Sequence, residues 1–403
     1  VNLQAASNTS SQKITNSASR SAVGVSLSVT DLSVTASASK SKGKSDGQDL
    51  TYIIIQITAG NTASIISGGD TNIKGAVVAA NQIKLDVGKQ SGGSLTIESV
   101  QDLSTYTSSQ KSSGISISVP ITGSGSAGGS ISASKSSINS NFQSVGEQSG
   151  LKAGDGGFQV SVANNTALTG GVIASTQSAV DNKVNTFTTG GQLTTSDVQN
   201  TASFTGKAVG ITAGFGDGKP SGSAGVGATQ GNAASTSTSG ISGIAGNTGV
   251  RTGDLEIGIK PIFNADKAQK EINAQVAITQ AFGQQASKAI GDHAATQVNE
   301  AARLRIRANG VDANDPERTR LSNEAAAIEA KWGDNGTLRL LAHTVVGGLT
   351  GGASGAAGAA AGTLAAPLAA DALANAGITG PLATSITALA GTAAGALMGG
   401  TAG

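Results

Sequence analysis

The chain has 403 residues, of which only 2% are aromatic and 13% are charged, whereas 58 are glycine. So few large side chains exclude several ordinary globular cores, and a net charge of +1 argues against a nucleic-acid-binding surface. The lack of cysteine excludes disulfides and thiolate metal sites, and it is typical of proteins that cross membranes as unlinked chains.

Residues 1–250 contain short segments in which apolar and polar residues alternate, such as SLTIESV, GISISV and FQVSV. Alternation with a period of two predicts strands that bury one face. Gly, Asn, Asp, Ser and Thr separate the segments, and these residues favour turns. We therefore expect a mainly β region in which every strand is short.

Two segments of this region resemble each other, KGAVVAA at residues 74–80 and GGVIAS at residues 170–175. Each follows an AG[ND] turn, which begins at Ala59 or Ala153. Loose repetition of this kind predicts a chain that coils around one axis, and about 20 residues per coil would give roughly 12 coils. We predict a right-handed parallel β-solenoid (β-helix); one or two β-sandwiches are the alternative, which the scarcity of aromatic anchors disfavours.

The candidate motif residues of the repeat come from the segments AGDGGF and GGVI. We expect them to form its turns and strands: Ala153, Gly154, Asp155, Gly156, Gly157, Phe158, Gly170, Gly171, Val172 and Ile173.

Residues 251–341 are densely charged and have helical spacing. One face of the first helix is predicted to carry Ile272, Val276, Phe282, Ala286, Ile290, Ala294, Ala301 and Leu304. This pattern fits one long helix or a kinked pair with weak points at Gly283 and Gly291.

The segment NDPERTRL predicts a second helix, with Asp315 as the N-cap, Pro316 at the first helical position and Glu317 in the first turn. It should run to about Trp332 and end at Gly333. A third helix should begin near Thr337.

Residues 342–403 are more than half Ala or Gly, and their two uncharged runs each exceed the roughly 20 residues that span a bilayer. Small residues recur at four-residue spacing, which lets helices approach closely. The candidate membrane-active glycines are Gly347, Gly351, Gly355, Gly358, Gly362, Gly391 and Gly395. A conditionally inserting helical hairpin, a water-soluble Gly/Ala bundle and a flexible linker all fit this composition.

The sequence offers little catalytic chemistry. His293 and His343 are the only histidines. A solvated or capping role accounts for His293, and packing at a helix interface accounts for His343, better than a catalytic triad or a zinc site. The segment GFGDGKP at residues 214–220 fails as a phosphate loop because Pro220 stands where a Ser or Thr is needed. We expect no enzyme activity, cofactor or metal.

The chain resembles a known family in several places. AGDGGFQVSVANNTALTGGVIAS and LTTSDVQN at residues 193–200 resemble the haemagglutinin-type repeat of filamentous two-partner-secretion exoproteins. EQSGLKAGDGGF at residues 147–158 resembles the second repeat region of the contact-dependent growth inhibition exoproteins, the CdiA-like toxin-delivery filaments. AQVAITQAFGQQA at residues 274–286 and KWGDNGTLRLLAHTVVGGLTGG at residues 331–352 resemble the segment that precedes the toxin.

The resemblance implies secretion through an outer-membrane β-barrel partner and display on the surface of a Gram-negative bacterium. It also implies that this region engages the target-cell outer membrane and helps a C-terminal toxin domain across, with residues 342–403 as a pretoxin segment. The VENN tetrapeptide that commonly marks the toxin boundary is not in the chain, so we expect a piece of a longer protein. A passive structural stalk of a secreted adhesin is the alternative, and an autonomous pore former is a third interpretation.

Overall fold

A computed structural model describes residues 1–342 except 28–31, 90, 123–125, 217–218, 256–257, 313–314, 335 and 340–341. This part of the chain is mainly β, with helices towards its C-terminal end, as predicted. The predicted Gly/Ala tail lies outside the described residues.

Two sheets are built from strands of 2 to 13 residues. The five-stranded sheet is parallel throughout and consists, in spatial order, of β1 (Asn2–Gln4), β5 (Thr71–Lys74), β7 (Leu95–Glu98), β11 (Thr166–Thr169) and β14 (Leu193–Ser196). The seven-stranded sheet consists of β4 (Ile55–Ser67), β6 (Ala76–Val87), β10 (Gly150–Val162), β12 (Val172–Ala174), β13 (Thr186–Thr189), β17 (Gly240–Ile241) and β18 (Ala245–Gly246). Its pairs are parallel except the last, β17 with β18.

The main core contains buried side chains from both parallel sheets. The five-stranded sheet contributes Ile73, Leu95, Ile97 and Leu168, and the seven-stranded sheet contributes Val78, Leu85, Leu151, Phe158, Ile173 and Ile241. Parallel in-register pairing stacks similar residues on one another, as in the pairs Val78–Leu151, Leu151–Ile173 and Ile173–Ile241. The small apolar side chains of the alternating segments therefore still fill a continuous interior.

The third sheet corrects the expectation that every strand is short. Six strands of 18 to 22 residues form an antiparallel sheet: β2 (Ala6–Leu27), β3 (Leu32–Ile53), β8 (Gln101–Thr122), β9 (Gly128–Val145), β15 (Val198–Gly216) and β16 (Lys219–Ser237). These hairpins take up much of residues 1–250, so the described chain passes through the five-stranded sheet five times rather than roughly 12 times.

The three hairpins are inserted at equivalent places. We call one passage through the five-stranded and then the seven-stranded sheet a coil. A hairpin follows β1, β7 and β14 in the chain, whereas no hairpin follows β5 or β11. Every second coil therefore carries a hairpin. Neighbouring strands lie about 4.8 Å apart, so two coils advance by the width of one hairpin. This match lets the hairpins join into one sheet, in the order β16-β15-β9-β8-β3-β2.

The helices follow the strands. α1 (Gln177–Asp181) is a single turn, α2 (Ala265–Asn309) runs for 45 residues, and α3 (Pro316–Trp332) follows it. Of the two arrangements predicted for the first long helix, the uninterrupted one is observed. The bounds of α3 confirm its prediction, because Asp315 caps it through Glu317 N at 2.8 Å and Gly333 ends it. Helical residues begin again at 337, as expected; a right-handed solenoid winding stays a prediction.

Candidate functional site

The AGDGGF segment shapes the seven-stranded sheet. Its residues lie in β10, whose pairing with β6 shifts between Ala153 and Gly157. Gly157 has a φ of 66°, and an added Cβ there would lie 2.6 Å from Asn185 Oδ1. Asp155 Oδ1 accepts a hydrogen bond from Thr176 Oγ1 at 2.7 Å, and Phe158 is completely buried. The structure gives these residues architectural contacts.

The GGVI segment continues the same stack of strands. Gly170 has a φ of 58° between β11 and β12, and an added Cβ at Gly171 would come within 2.6 Å of Ile97 Cγ2. Val172 lies opposite Gly150, as does Val77 on its other side. The two similar segments therefore occupy the same register on either side of β10.

The candidate glycines of the tail, from Gly347 to Gly395, lie outside the described residues. None of the helices in the described part of the chain has both the length and the hydropathy of a membrane-spanning segment. The same part of the chain holds no group of three or more His, Cys, Asp or Glu side chains suited to a metal ion.

The antiparallel sheet has two different faces. We call the inner face the one against which α2 packs, where Ile138 and Ala208 lie in one apolar cluster with Ile272. We call the opposite one the outer face. Side chains alternate between the faces along each strand, and residues directly opposite each other share a face. The registers of the strand pairs therefore assign every paired side chain to one face.

Large apolar side chains lie exposed on the outer face near the hairpin tips. We call this set the apolar band: Val23, Val25, Ile115, Ile117, Val119, Ile131, Ile211 and Phe215. Val23 is 78% exposed, Ile131 61% and Phe215 55%. The band crosses the sheet in rows, for example from Ile115 to Ile131 in the next strand.

Lysines follow the apolar band on the same face, on the side away from the hairpin tips. We call this set the lysine belt: Lys40, Lys42, Lys44, Lys111, Lys135 and Lys207. Its central row is formed by three lysines on neighbouring strands, because Lys42 lies opposite Lys111 and Lys111 lies opposite Lys135. All six are exposed. Among outer-face residues of the described strands, Asp46 is the only acidic one, and it lies opposite Lys13.

Glycines on the inner face let α2 approach the sheet closely. An added Cβ at Gly225 would overlap the carbonyl oxygen of Val276, and one at Gly227 would overlap that of Ile272. The helix also replaces strand partners at the edge of the sheet. Val226 N donates to Thr279 Oγ1 at 2.9 Å. Ala228 N donates to Gln275 Oε1 at 2.7 Å. One long edge strand is therefore partly covered.

Beyond the sheet, α2 packs against α3. Arg305 forms a two-point ion pair with Glu329, with Nε to Oε1 at 2.8 Å. This hydrogen bond holds the pKa of Glu329 below its ordinary value and raises the pKa of Arg305. The rings of His293 and Trp332 pack edge to face with their centroids 4.7 Å apart, so His293 packs at a helix interface instead of being fully solvated.

Sequence reasoning missed the apolar band and the lysine belt. The signals were present in GISISV and KSKGK, in which apolar or basic residues alternate with small polar ones. Alternation alone does not say which strands are neighbours, and both features exist only across neighbouring strands.

Comparisons with known proteins agree on one family. A haemagglutinin-repeat family model matches residues 1–113. The tRNA nuclease CdiA of Yersinia mollaretii is 32% identical over 317 residues, which cover 75% of this chain and 10% of that protein. The toxin CdiA of Escherichia coli is 33% identical over 334 residues, again 75% of this chain and 10% of that protein. The deoxyribonuclease CdiA of Yersinia pseudotuberculosis is 35% identical over 205 residues, 51% of this chain and 18% of that protein.

The matched relatives are far longer than the chain, which covers 10% to 18% of their lengths. The names of these three relatives differ in activity, and the haemagglutinin-repeat match points to a structural role for residues 1–113. The chain therefore belongs to the CdiA family, and it carries the haemagglutinin repeat over residues 1–113.

Proposed function

We propose that this chain is the non-enzymatic delivery region of a contact-dependent growth inhibition exoprotein. In this role it engages the outer membrane of a target cell and helps a C-terminal toxin across. The apolar band is the observation that carries the proposal. Contiguous exposed apolar surface on a folded protein usually marks a site of interaction with a protein or a membrane, and the eight large apolar side chains of the band lie together near the hairpin tips.

The rest of the fold supports such a role. The five-stranded and seven-stranded sheets pack around a buried core, which would give the hairpins a rigid base as part of a right-handed β-solenoid. In the proposed arrangement, residues 1–250 form the repeat region, residues 251–341 the helical region and residues 342–403 the pretoxin segment. The whole protein would be secreted through its outer-membrane β-barrel partner and displayed on the surface of a Gram-negative cell.

Flotation tests the proposal. The purified chain is mixed with outer-membrane vesicles, floated through a density gradient and digested with protease. We expect the chain to float, and we expect the hairpin of β8 and β9 around residues 114–134 to be protected from the protease. A chain that stays at the bottom, or that floats and is fully digested, would favour the passive stalk of a filamentous adhesin.

A further inference from the structure

We propose that the lysine belt binds the phosphate groups of an anionic lipid surface while the apolar band enters the boundary between headgroups and acyl chains. The antiparallel sheet then lies in the plane of the membrane interface with its outer face towards lipid. This inference rests on the proposed function, because it assumes that the chain meets a membrane. It adds the lipid chemistry and the orientation of the protein.

The central row of the belt is unfavourable in the protein alone. Directly opposite residues of antiparallel strands have Cβ atoms about 5 Å apart, and like charges in such positions destabilise the sheet. Lys42, Lys111 and Lys135 occupy three such positions in succession. None of these three forms an ion pair with a described residue. A surface of phosphate groups would offset this repulsion.

The belt and the band are arranged along the strands as an amphipathic interface requires. On β8, Lys111 precedes Ile115 by four residues, about 14 Å, and Val119 by eight residues, about 27 Å, on the same face. Lysine side chains extend their ammonium groups towards water and headgroups while their stems cover apolar surface. Apolar residues beside a basic patch on one face are also the pattern of helices that lie in the membrane interface and favour anionic lipid.

The inner face has a different character. Near the hairpin tips it carries hydroxyl groups, such as Ser116 and Ser130, whose Oγ atoms hydrogen-bond each other at 2.8 Å. Nearer the base, α2 covers it. Only the outer face combines exposed apolar side chains with the lysine belt, so the sheet has a single orientation in which both groups meet lipid.

A charge-removal variant tests the inference. Lys42→Gln, Lys111→Gln and Lys135→Gln are combined, and binding is measured on phosphatidylcholine vesicles with and without phosphatidylglycerol. About fivefold in affinity per lysine predicts a loss on the order of 100-fold on the anionic vesicles and little change on the neutral ones. Thermal unfolding should show the variant to be at least as stable as the wild type, because the repulsive row has gone.

A matched variant removes the same charge elsewhere. Lys260, Lys267 and Lys270 are exposed residues before and within the first turns of α2. With all three changed to Gln, the chain should bind anionic vesicles within a few-fold of the wild type if position on the outer face matters. An equal loss in the two triple variants would overturn the inference in favour of net charge alone.

Other outcomes are equally decisive. Wild-type chain that binds both vesicle types equally would overturn the role of the lysines but leave the proposed function standing. Wild-type chain that binds neither vesicle type, nor outer-membrane vesicles, would contradict the proposed function itself. Stabilisation of the lipid-free chain by inorganic phosphate would indicate a discrete phosphate site instead of a lipid surface. Self-association of the lysine variant without loss of lipid binding would show that the row keeps two copies apart.

Discussion

Replacing Ile131 by Thr tests whether the apolar band touches lipid. Ile131 lies on the outer face of β9 opposite Ile115, and the residue is 61% exposed. Threonine is also β-branched, so the preference for a strand is kept. Because the side chain contributes little to the core, we expect the variant to fold normally and to bind membranes less well.

The expected loss can be worked out from the exposure. Complete burial of an isoleucine side chain is worth about 1.5 to 3 kcal/mol. Scaling by the 61% that is exposed leaves about 1 to 2 kcal/mol available on contact with lipid. Threonine retains one methyl group, so the substitution should remove roughly 1 kcal/mol, which is about fivefold in affinity.

The chain provides a matched control at Ile14. This residue is 45% exposed on the same sheet, but it lies opposite Ser45 on the inner face. Cosedimentation with outer-membrane vesicles should show the loss for Ile131→Thr and wild-type binding for Ile14→Thr. Equal binding by both variants, or equal weakening, would refute the assignment of the outer face to the membrane.

Three further predictions concern the fold. Gly227→Ala should loosen α2 and raise its amide exchange at a cost of about 1 to 3 kcal/mol, because the new Cβ overlaps the helix backbone; Gly222→Ala, with 3.4 Å of room, should leave exchange unchanged. The pKa of Glu329 is lowered in the folded protein. The ion pair of Glu329 should therefore stabilise the helix packing fully above the unfolded pKa of about 4.3, and this stabilisation should be lost as pH falls through the lower folded pKa. Arg305→Gln should abolish this pH dependence of the melting temperature. Phe158→Ala should lower the free energy of unfolding in urea by about 3 to 5 kcal/mol, and a value near zero would contradict its place in the core.

The sequence predicted those features that depend on local chemistry. The N-cap at Asp315 and the end of α3 at Gly333 follow from side chains adjacent to the helix. The apolar face of α2 follows from 3.6-residue spacing, and Ile272, Ile290 and Leu304 are indeed buried. The repeated segments were recognised because stacked strands bury similar residues at similar positions.

The long hairpins could not be predicted in the same way. A strand that is paired on both sides is held by backbone hydrogen bonds, and it needs no apolar face to remain a strand. β8 illustrates this: GISISV suggested one short strand, but pairing to β3 and β9 extends it over Gln101–Thr122 through the polar run STYTSSQKSS. The apolar band and the lysine belt were missed with it, since both depend on the registers between neighbouring strands.

The insertion of a hairpin at every second coil restricts how this protein can change in length. Deleting a single residue from one strand would turn every side chain beyond that point to the opposite face, so lysines would face α2 and glycines would face the surroundings. Only the loss or gain of an even number of residues, matched in both strands of a hairpin, keeps each side chain on its original face. Widening the sheet by one hairpin would similarly require two more coils, so the breadth of the antiparallel sheet and the number of coils would change together.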